Sequence, residues 1–181
     1  MQGMKLQMNR IETERLILRN FEERDLDDLY EYLSDPEVVK YEPYKAMTLN
    51  EVRENLSWRK TTEEMIAVED KHTGKMIGNV YFGNRDFNSR EIGYVFNRSF
   101  WGCGYAGESC HAVIAQAFSN GVHRIYAECD PINQASWKLL ERMGFIREAH
   151  FKENVYFWRN ENGEPIWKDT YVYALLKKKL R

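Results

Sequence analysis

A chain of 181 residues with 43% hydrophobic and 30% charged residues has an ordinary globular composition, which excludes disordered and fibrous classes and allows a substantial core. A formal net charge of −2 gives no electrostatic footprint for nucleic acid, and no apolar run approaches the roughly 20 residues of a membrane span. Three cysteines (103, 110 and 129) form neither a disulfide framework nor a zinc spacing, and four scattered histidines suggest no metal, so the expectation is one domain over residues 1–181 in a reducing cytoplasm.

The N-terminus, Met1 to Met8, lacks the apolar core of a secretory signal. Residues 15–19 alternate as a half-buried strand. Residues 24–33 place Leu26, Leu29, Tyr30 and Leu33 at helical spacing, and Ser34-Asp-Pro36 ends the helix. A second helix spans 49–60, with Val52, Leu56 and Arg59 on one side and Asn50 near its start. Residues 65–68 and 75–82 read as a hairpin joined at Lys71-His-Thr-Gly74, followed by a polar connection over 84–88 and a strand over 91–96. The helix predicted for 108–120 buries Cys110, Val113, Ile114, Ala117 and Phe118, and Gly121 stops it. Residues 124–129 form a strand with Ile125, Ala127 and Cys129 on one face and Tyr126 and Glu128 on the other. Asn133 caps a helix whose apolar face is Trp137, Leu140 and Met143, closed by Gly144-Phe145. Strands over 147–158 and 170–176 flank the turn 160–165, and the Lys177–Lys179 run reads as a solvated strand end. The fold class is therefore α/β (α+β), a mixed and mostly antiparallel sheet with helices packed on it.

The segment from Glu91 to Glu108 is a strand, a glycine-rich turn and the opening of a helix. That succession gathers unpaired main-chain N–H groups at the positive end of a helix dipole, a site for phosphate oxygens. Taken literally, Gly102-Cys-Gly104-Tyr-Ala-Gly107 matches the dinucleotide fingerprint G-x-G-x-x-G, with Glu128 about 20 residues on as the follow-up acid. Three features oppose it. Arg98-Ser-Phe-Trp101 separate the strand from the first glycine, the strand is partly polar, and the flanking strands look like hairpins.

The turn instead resembles the acetyl-CoA pyrophosphate loop of the GCN5-related N-acetyltransferases, R/Q-x-x-G-x-G/A, here Trp101-Gly-Cys-Gly104-Tyr-Ala106. Trp101 in place of Arg or Gln is similar to the branch that resembles ribosomal-protein N-terminal alanine acetyltransferases. Downstream, Asn133-Gln-Ala-Ser136 through Gly144-Phe145 resembles the family's N-x-x-S/A helix. Thr13-Glu-Arg-Leu-Ile-Leu-Arg19 and Trp167 to Leu176 resemble that branch too, so the likeness covers nearly the whole chain.

The resemblance implies direct transfer of an acetyl group from acetyl-CoA to an amine, without metal, on a sheet flanked by helices. Main-chain amides of Cys103, Gly104, Tyr105, Ala106, Gly107 and Glu108 would hold the pyrophosphate. Val95, Phe96 and Asn97 would pair with the pantetheine arm, and Asn133 would cap its helix and meet the same arm. Glu128 would be the general base, its alternative being a strand carboxylate paired with a nearby Arg or Lys while water alone deprotonates. The tyrosine that much of the family uses to protonate the leaving thiolate is Leu140 here. Ser136 is the substitute, its alternative being a small residue facing the sheet. Cys103 is not a nucleophile, because direct transfer needs no acyl-enzyme. Trp101, Tyr156, Phe157, Trp158 and Trp167 read as half-buried packing more than as an acceptor groove. Acceptor choice falls to the segments 41–49 and 151–166. A protein N-terminus is favoured, with a small amine (polyamine, amino sugar or antibiotic) as rival and a CoA-binding module without turnover as the different class. A homodimer fits the family; nucleic acid and membrane do not figure as partners.

Overall fold

The computed structural model describes residues 10–177, so the N-terminal stretch and Lys178 and Lys179 lie outside the described residues. In chain order the elements are β1 (Ile11–Glu12), β2 (Leu16–Arg19), α1 (Leu26–Leu33), α2 (Leu49–Arg59), β3 (Met65–Asp70), β4 (Met76–Arg85), β5 (Ser89–Phe96), α3 (Tyr105–Ser119), β6 (Arg124–Cys129), α4 (Gln134–Arg142), β7 (Ile146–Arg159) and β8 (Pro165–Leu176). Short 3-10 turns at Glu23–Asp25 and Arg98–Phe100 lead into α1 and into the glycine turn.

The strands make one eight-stranded sheet in the order β1-β2-β3-β4-β5-β6-β8-β7. Every pairing is antiparallel except β5 with β6, where α3 serves as the crossover that a parallel pair requires. Helices α3 and α4 cover one face around Ile66, Val80, Ile92, Val113, Ile125 and Leu140. Helices α1 and α2 cover the other around Leu29, Tyr32, Val52, Leu56, Met65 and Ala67. Both faces of β3 and β4 are therefore buried, which their near-continuous apolar runs match.

The predicted elements all form, with informative shifts of boundary in β4 and α3. Helix α2 is capped by Thr48, whose hydroxyl accepts from Glu51 N–H at 3.4 Å while the Glu51 carboxylate accepts from Thr48 N–H at 2.7 Å. Asn50 lies in the first turn, near the helix start as expected. Strand β4 runs on through Asn84 and Arg85, so the polar connection shrinks to a tight turn in which Phe87 and Asn88 take positive φ. Helix α3 begins at Tyr105 rather than at Glu108, because Gly104 in the left-handed conformation (φ 83°, ψ 0°) is its cap. A first-turn glycine, Gly107, is tolerated there, and it does not delay the helix.

Candidate active site

Strands β5 and β6 pair over three positions only, Ser89 with Arg124, Arg90 with Ile125 and Glu91 with Tyr126. Beyond Glu91 the two strands part, and the edge of β5 facing β6 is unpaired. In an antiparallel ladder alternate residues turn their main-chain groups to opposite neighbours. Asn97 N–H donates to Ile77 C=O at 3.0 Å, and Val95 lies opposite Asn79, so both direct their main-chain groups at β4. The groups that face the gap belong to Tyr94 and Phe96. This corrects the expectation for Val95 and Asn97: the ladder with β4 already occupies the atoms that were to pair with a ligand. The side chain of Asn97 is occupied as well, with Nδ2 donating to Glu31 at 2.9 Å and Oδ1 accepting from Ser99 N–H at 3.0 Å. The Phe96 carbonyl is taken by the indole of Trp101, whose Nε1 donates to it at 2.8 Å. Among the described residues, what remains open along the gap is the Phe96 N–H and both main-chain groups of Tyr94.

The gap runs toward the turn that opens α3. Among the described residues, no chain atom accepts a hydrogen bond from the amides of Gly102, Cys103, Gly104, Tyr105, Ala106 or Gly107. Gly102 and Gly104, at φ 75° and 83°, curl the turn as only glycine does without strain. Consecutive amides beside left-handed residues converge on one side, a concavity suited to an anion, and the α3 dipole adds to it. Glu108 departs from the expected set. Its amide donates to Gly104 C=O at 3.0 Å as the first helical bond, and Gly102 takes its place among the free donors.

The Glu108 side chain fastens the turn from behind. Its carboxylate accepts from Thr13 Oγ1 at 2.5 Å, from Arg15 N–H at 3.0 Å and from Arg15 Nε at 2.7 Å. These contacts hold it below the usual carboxylate range against the opposing effect of burial. Arg15 then reaches Cys103 C=O with Nη1 at 3.0 Å and lies 4.3 Å over the Tyr105 ring. The Thr13-Glu-Arg15 motif thus meets the glycine turn in space, a contact across 93 residues that sequence spacing does not reveal.

On the face toward α1 and α2, Glu128 projects from β6 as its alternation predicts. Among the described residues its carboxylate makes no hydrogen bond or ion pair, so the Arg or Lys partner of the alternative reading is absent. Burial raises its pKa first and the nearby charge of Glu91 adds to this, while Arg85 opposes both. Arg85 is instead committed to Glu91, and it also donates to Tyr81 at 3.0 Å and Tyr126 at 3.2 Å. A carboxyl biased toward holding a proton and free of partners is chemically equipped to accept one.

On the opposite face, Asn133 caps α4 with Oδ1, accepting from Ser136 N–H at 3.2 Å. Its Nδ2 has no partner among the described residues. The Ser136 hydroxyl lies 3.1 Å from the phenol of Tyr94, which also donates to Ser136 C=O at 3.1 Å. Burial pushes the Tyr94 phenol well above its ordinary range. Tyr94 therefore ties β5 to the first turn of α4, and nothing in its sequence context beyond strand alternation marks it. Leu140 is 1% exposed within the core, so this position is filled by packing. Cys103 is exposed and unpaired, with no histidine beside it. Of the aromatic residues expected as packing, Trp101 and Trp167 are half exposed, and Tyr156 packs edge-on to Trp167 with centroids 5.2 Å apart. Lys45, from the connection between α1 and α2, lies 5.0 Å over the Trp158 ring. The two segments assigned to acceptor choice thus touch.

The family model described as "Acetyltransferase (GNAT) domain" matches residues 15–146. The chain is 34% identical over 173 residues to the Bacillus subtilis protein named "Uncharacterized N-acetyltransferase YnaD", an alignment covering 92% of this chain and 96% of that one. Among solved structures, the acetyltransferase (GNAT family) from Bacillus anthracis superposes with a TM-score of 0.86 at 31% identity, over 94% of this chain and 100% of that chain. The ribosomal-protein-S5-alanine acetyltransferase from Vibrio fischeri shares the fold at a TM-score of 0.76 and 21% identity, over 96% of this chain and 100% of its own.

Proposed function

Because the chain belongs to the GNAT acetyltransferase family, we propose that it carries an acetyl group from acetyl-CoA to the amine at a protein N-terminus. Acetyl-CoA brings an acyl group already activated as a thioester. The protein's tasks are to orient the amine, take its proton and receive charge at the carbonyl and sulfur.

In this reading the amides of Gly102 through Gly107 grip the diphosphate. The main-chain groups of Tyr94 and Phe96 pair with the pantetheine arm as an added strand would, and Asn133 Nδ2 meets the same arm. Glu128, from the opposite face, takes the amine proton directly or through water. The nitrogen lone pair forms the new C–N bond as the C–S bond breaks. The departing thiolate receives a proton from the Ser136 hydroxyl, which Tyr94 orients; solvent then returns a proton to Ser136 and takes the one held by Glu128. The observation that carries this reading is the run of six unpartnered amides at the end of the gap between β5 and β6.

For the acceptor, the Vibrio fischeri neighbour's name concerns a ribosomal-protein alanine, which supports a peptide terminus by analogy of fold. We also take residues 1–181 as one acetyltransferase domain acting in the cytoplasm; the three unpaired cysteines support that setting.

The test is release of free thiol from acetyl-CoA over a panel of N-terminal peptides, polyamines and amino sugars. Peptide termini should exceed every small amine in kcat/KM by about tenfold or more. A small amine that outranks all peptides would remove the acceptor assignment.

A further inference from the structure

Two arginines are buried on the α1/α2 side of the sheet, and their surroundings differ. Arg19 is 7% exposed, closes a two-pronged pair on Asp25 at 2.7 and 2.8 Å, and donates from Nε to Glu69 at 2.7 Å. Arg59 is 4% exposed, and no ion pair of the described residues includes it. It is the third point of the stripe Val52, Leu56 and Arg59 on α2, so a cation stands where the pattern calls for an apolar side chain. Its Nε donates to Asn55 Oδ1 at 2.5 Å, and its guanidinium lies 5.2 Å from the Phe21 ring centre. Its Nη1 is fully enclosed with no acceptor, the one such side-chain atom among the described residues.

A guanidinium does not shed its proton, so this burial is not relieved by titration. An enclosed and unpaired charge is strongly unfavourable, and the partner that fits the planar fork is a carboxylate. The side chains in electrostatic reach of Arg59 are Tyr32 from α1, and Glu42 and Tyr44 from the connection between α1 and α2. Burial pushes the Glu42 carboxyl up to about 7, which weakens it as a counter-ion, and among the described residues no ion pair joins it to Arg59. Both Glu42 and Tyr44 are themselves only half-buried. One residue further, Lys45 meets Trp158, where the two acceptor segments touch.

We propose that Arg59 is the anion-binding end of the acceptor site, and that the acceptor is an amine carrying a carboxylate. The carboxylate sets its two oxygens on the free edge of the guanidinium while the Glu42–Tyr44 stretch turns outward. This rests on the acetyl-transfer reading above and narrows its substrate. The carboxylate has two sources, an acidic side chain just after a peptide N-terminus or the α-carboxylate of a free amino acid.

The experiment uses the full chain with saturating acetyl-CoA and follows thiol release on two matched pairs of probes. One pair is a peptide with glutamate at its second and third positions and the same peptide with glutamine there. The other is alanine and alaninamide. The charged member of one pair should be preferred by about tenfold or more in kcat/KM, carried by KM, and the pair that shows it names the source. Arg59→Gln should abolish that preference, lowering kcat/KM for the charged member about tenfold more than for the neutral one. Equal treatment of both pairs by the wild type overturns the proposal, as does an equal loss on both members in Arg59→Gln. Should Arg59→Gln fail to fold, the wild-type ratios still decide, with Arg59→Lys as the second variant. Turnover confined to amines without a carboxylate sinks this inference and leaves acetyl transfer standing. Absence of thiol release with any amine sinks the transfer reading, and calorimetry of the glutamate peptide on wild type and variant then tests Arg59 by itself.

Discussion

Replacing Gly104 by alanine isolates the turn that grips the diphosphate in the proposed reading. Gly104 is at φ 83°, where a Cβ crowds the following carbonyl at a cost of about 1–2 kcal/mol. The nearest atom that Cβ would meet is Arg15 Nη2 at 3.4 Å, so no clash adds to the strain. Residues 101–104 are exposed, and little packing holds the turn in its strained form. The expected response is rotation of the Gly104 peptide, which swings neighbouring amides off the anion. Losing one charge-assisted bond of about 1.5–3 kcal/mol should weaken CoA binding by about ten- to a hundredfold. Isothermal calorimetry with CoA measures this, and thermal melting of the free protein reports the residual strain. Gly121→Ala is the control, since Gly121 has φ 87° and open space around it at the far end of α3. It should lower Tm by about 2–8 °C through the same strain and leave CoA affinity alone. A Gly104→Ala protein whose Kd stays within about twofold of wild type, beside a destabilised Gly121→Ala, would refute the amide cradle.

Glu128→Gln should lower kcat by about 10²–10⁴-fold and erase the acidic limb of the pH profile, which in the wild type should lie above the ordinary glutamate range because burial raises this carboxyl. A variant with an unchanged profile would assign deprotonation to water alone. Ser136→Ala should reduce kcat with little change in KM. Tyr94→Phe should reproduce part of that loss, since the 3.1 Å contact orients the hydroxyl, and equal full activity of both variants in a stopped-flow thiol assay would remove the pair from the mechanism. Arg15→Gln should raise KM for acetyl-CoA by about three- to tenfold at constant kcat, because Cys103 C=O and Glu108 lose their tether; a fall in kcat alone would contradict that role. Glu42 holds its proton more tightly in the folded chain, being pushed to about 7, so its contribution to stability is full below the ordinary carboxyl range and lost as pH rises through about 7. Melting curves from about pH 6 to about pH 8 should show Tm falling in wild type and a flatter course in Glu42→Gln.

The elements were legible because each carries its own period. The α3 stripe, the alternation along β6 and the Asn133 cap are local patterns, and local physics reproduces them. The sequence pattern places the start of α3 three residues late, because Gly107 looks like loop from sequence and only the left-handed Gly104 shows where the helix begins. Along β5, alternation shows which way side chains point, but not which neighbour receives a residue's amide. That depends on β4 lying on one side and a gap on the other, so sequence points to Val95 and Asn97 where the free groups belong to Tyr94 and Phe96. The roles of Arg15 and Glu108 were hidden for a different reason: each is the other's partner across 93 residues. Arg59 was visible on the α2 stripe, but a burial pattern does not say that its counter-ion is missing.

The forked sheet has a mechanical consequence. Strands β1 to β5 form one plank and β6, β8 and β7 another, joined edge to edge over just three positions. On the proposed reading, the arm of acetyl-CoA lies in the fork as a splint between the planks. The splinted enzyme should resist protease and heat better than the empty one, and the amine should find its groove completed only after the thioester has arrived, which favours an ordered sequence of addition.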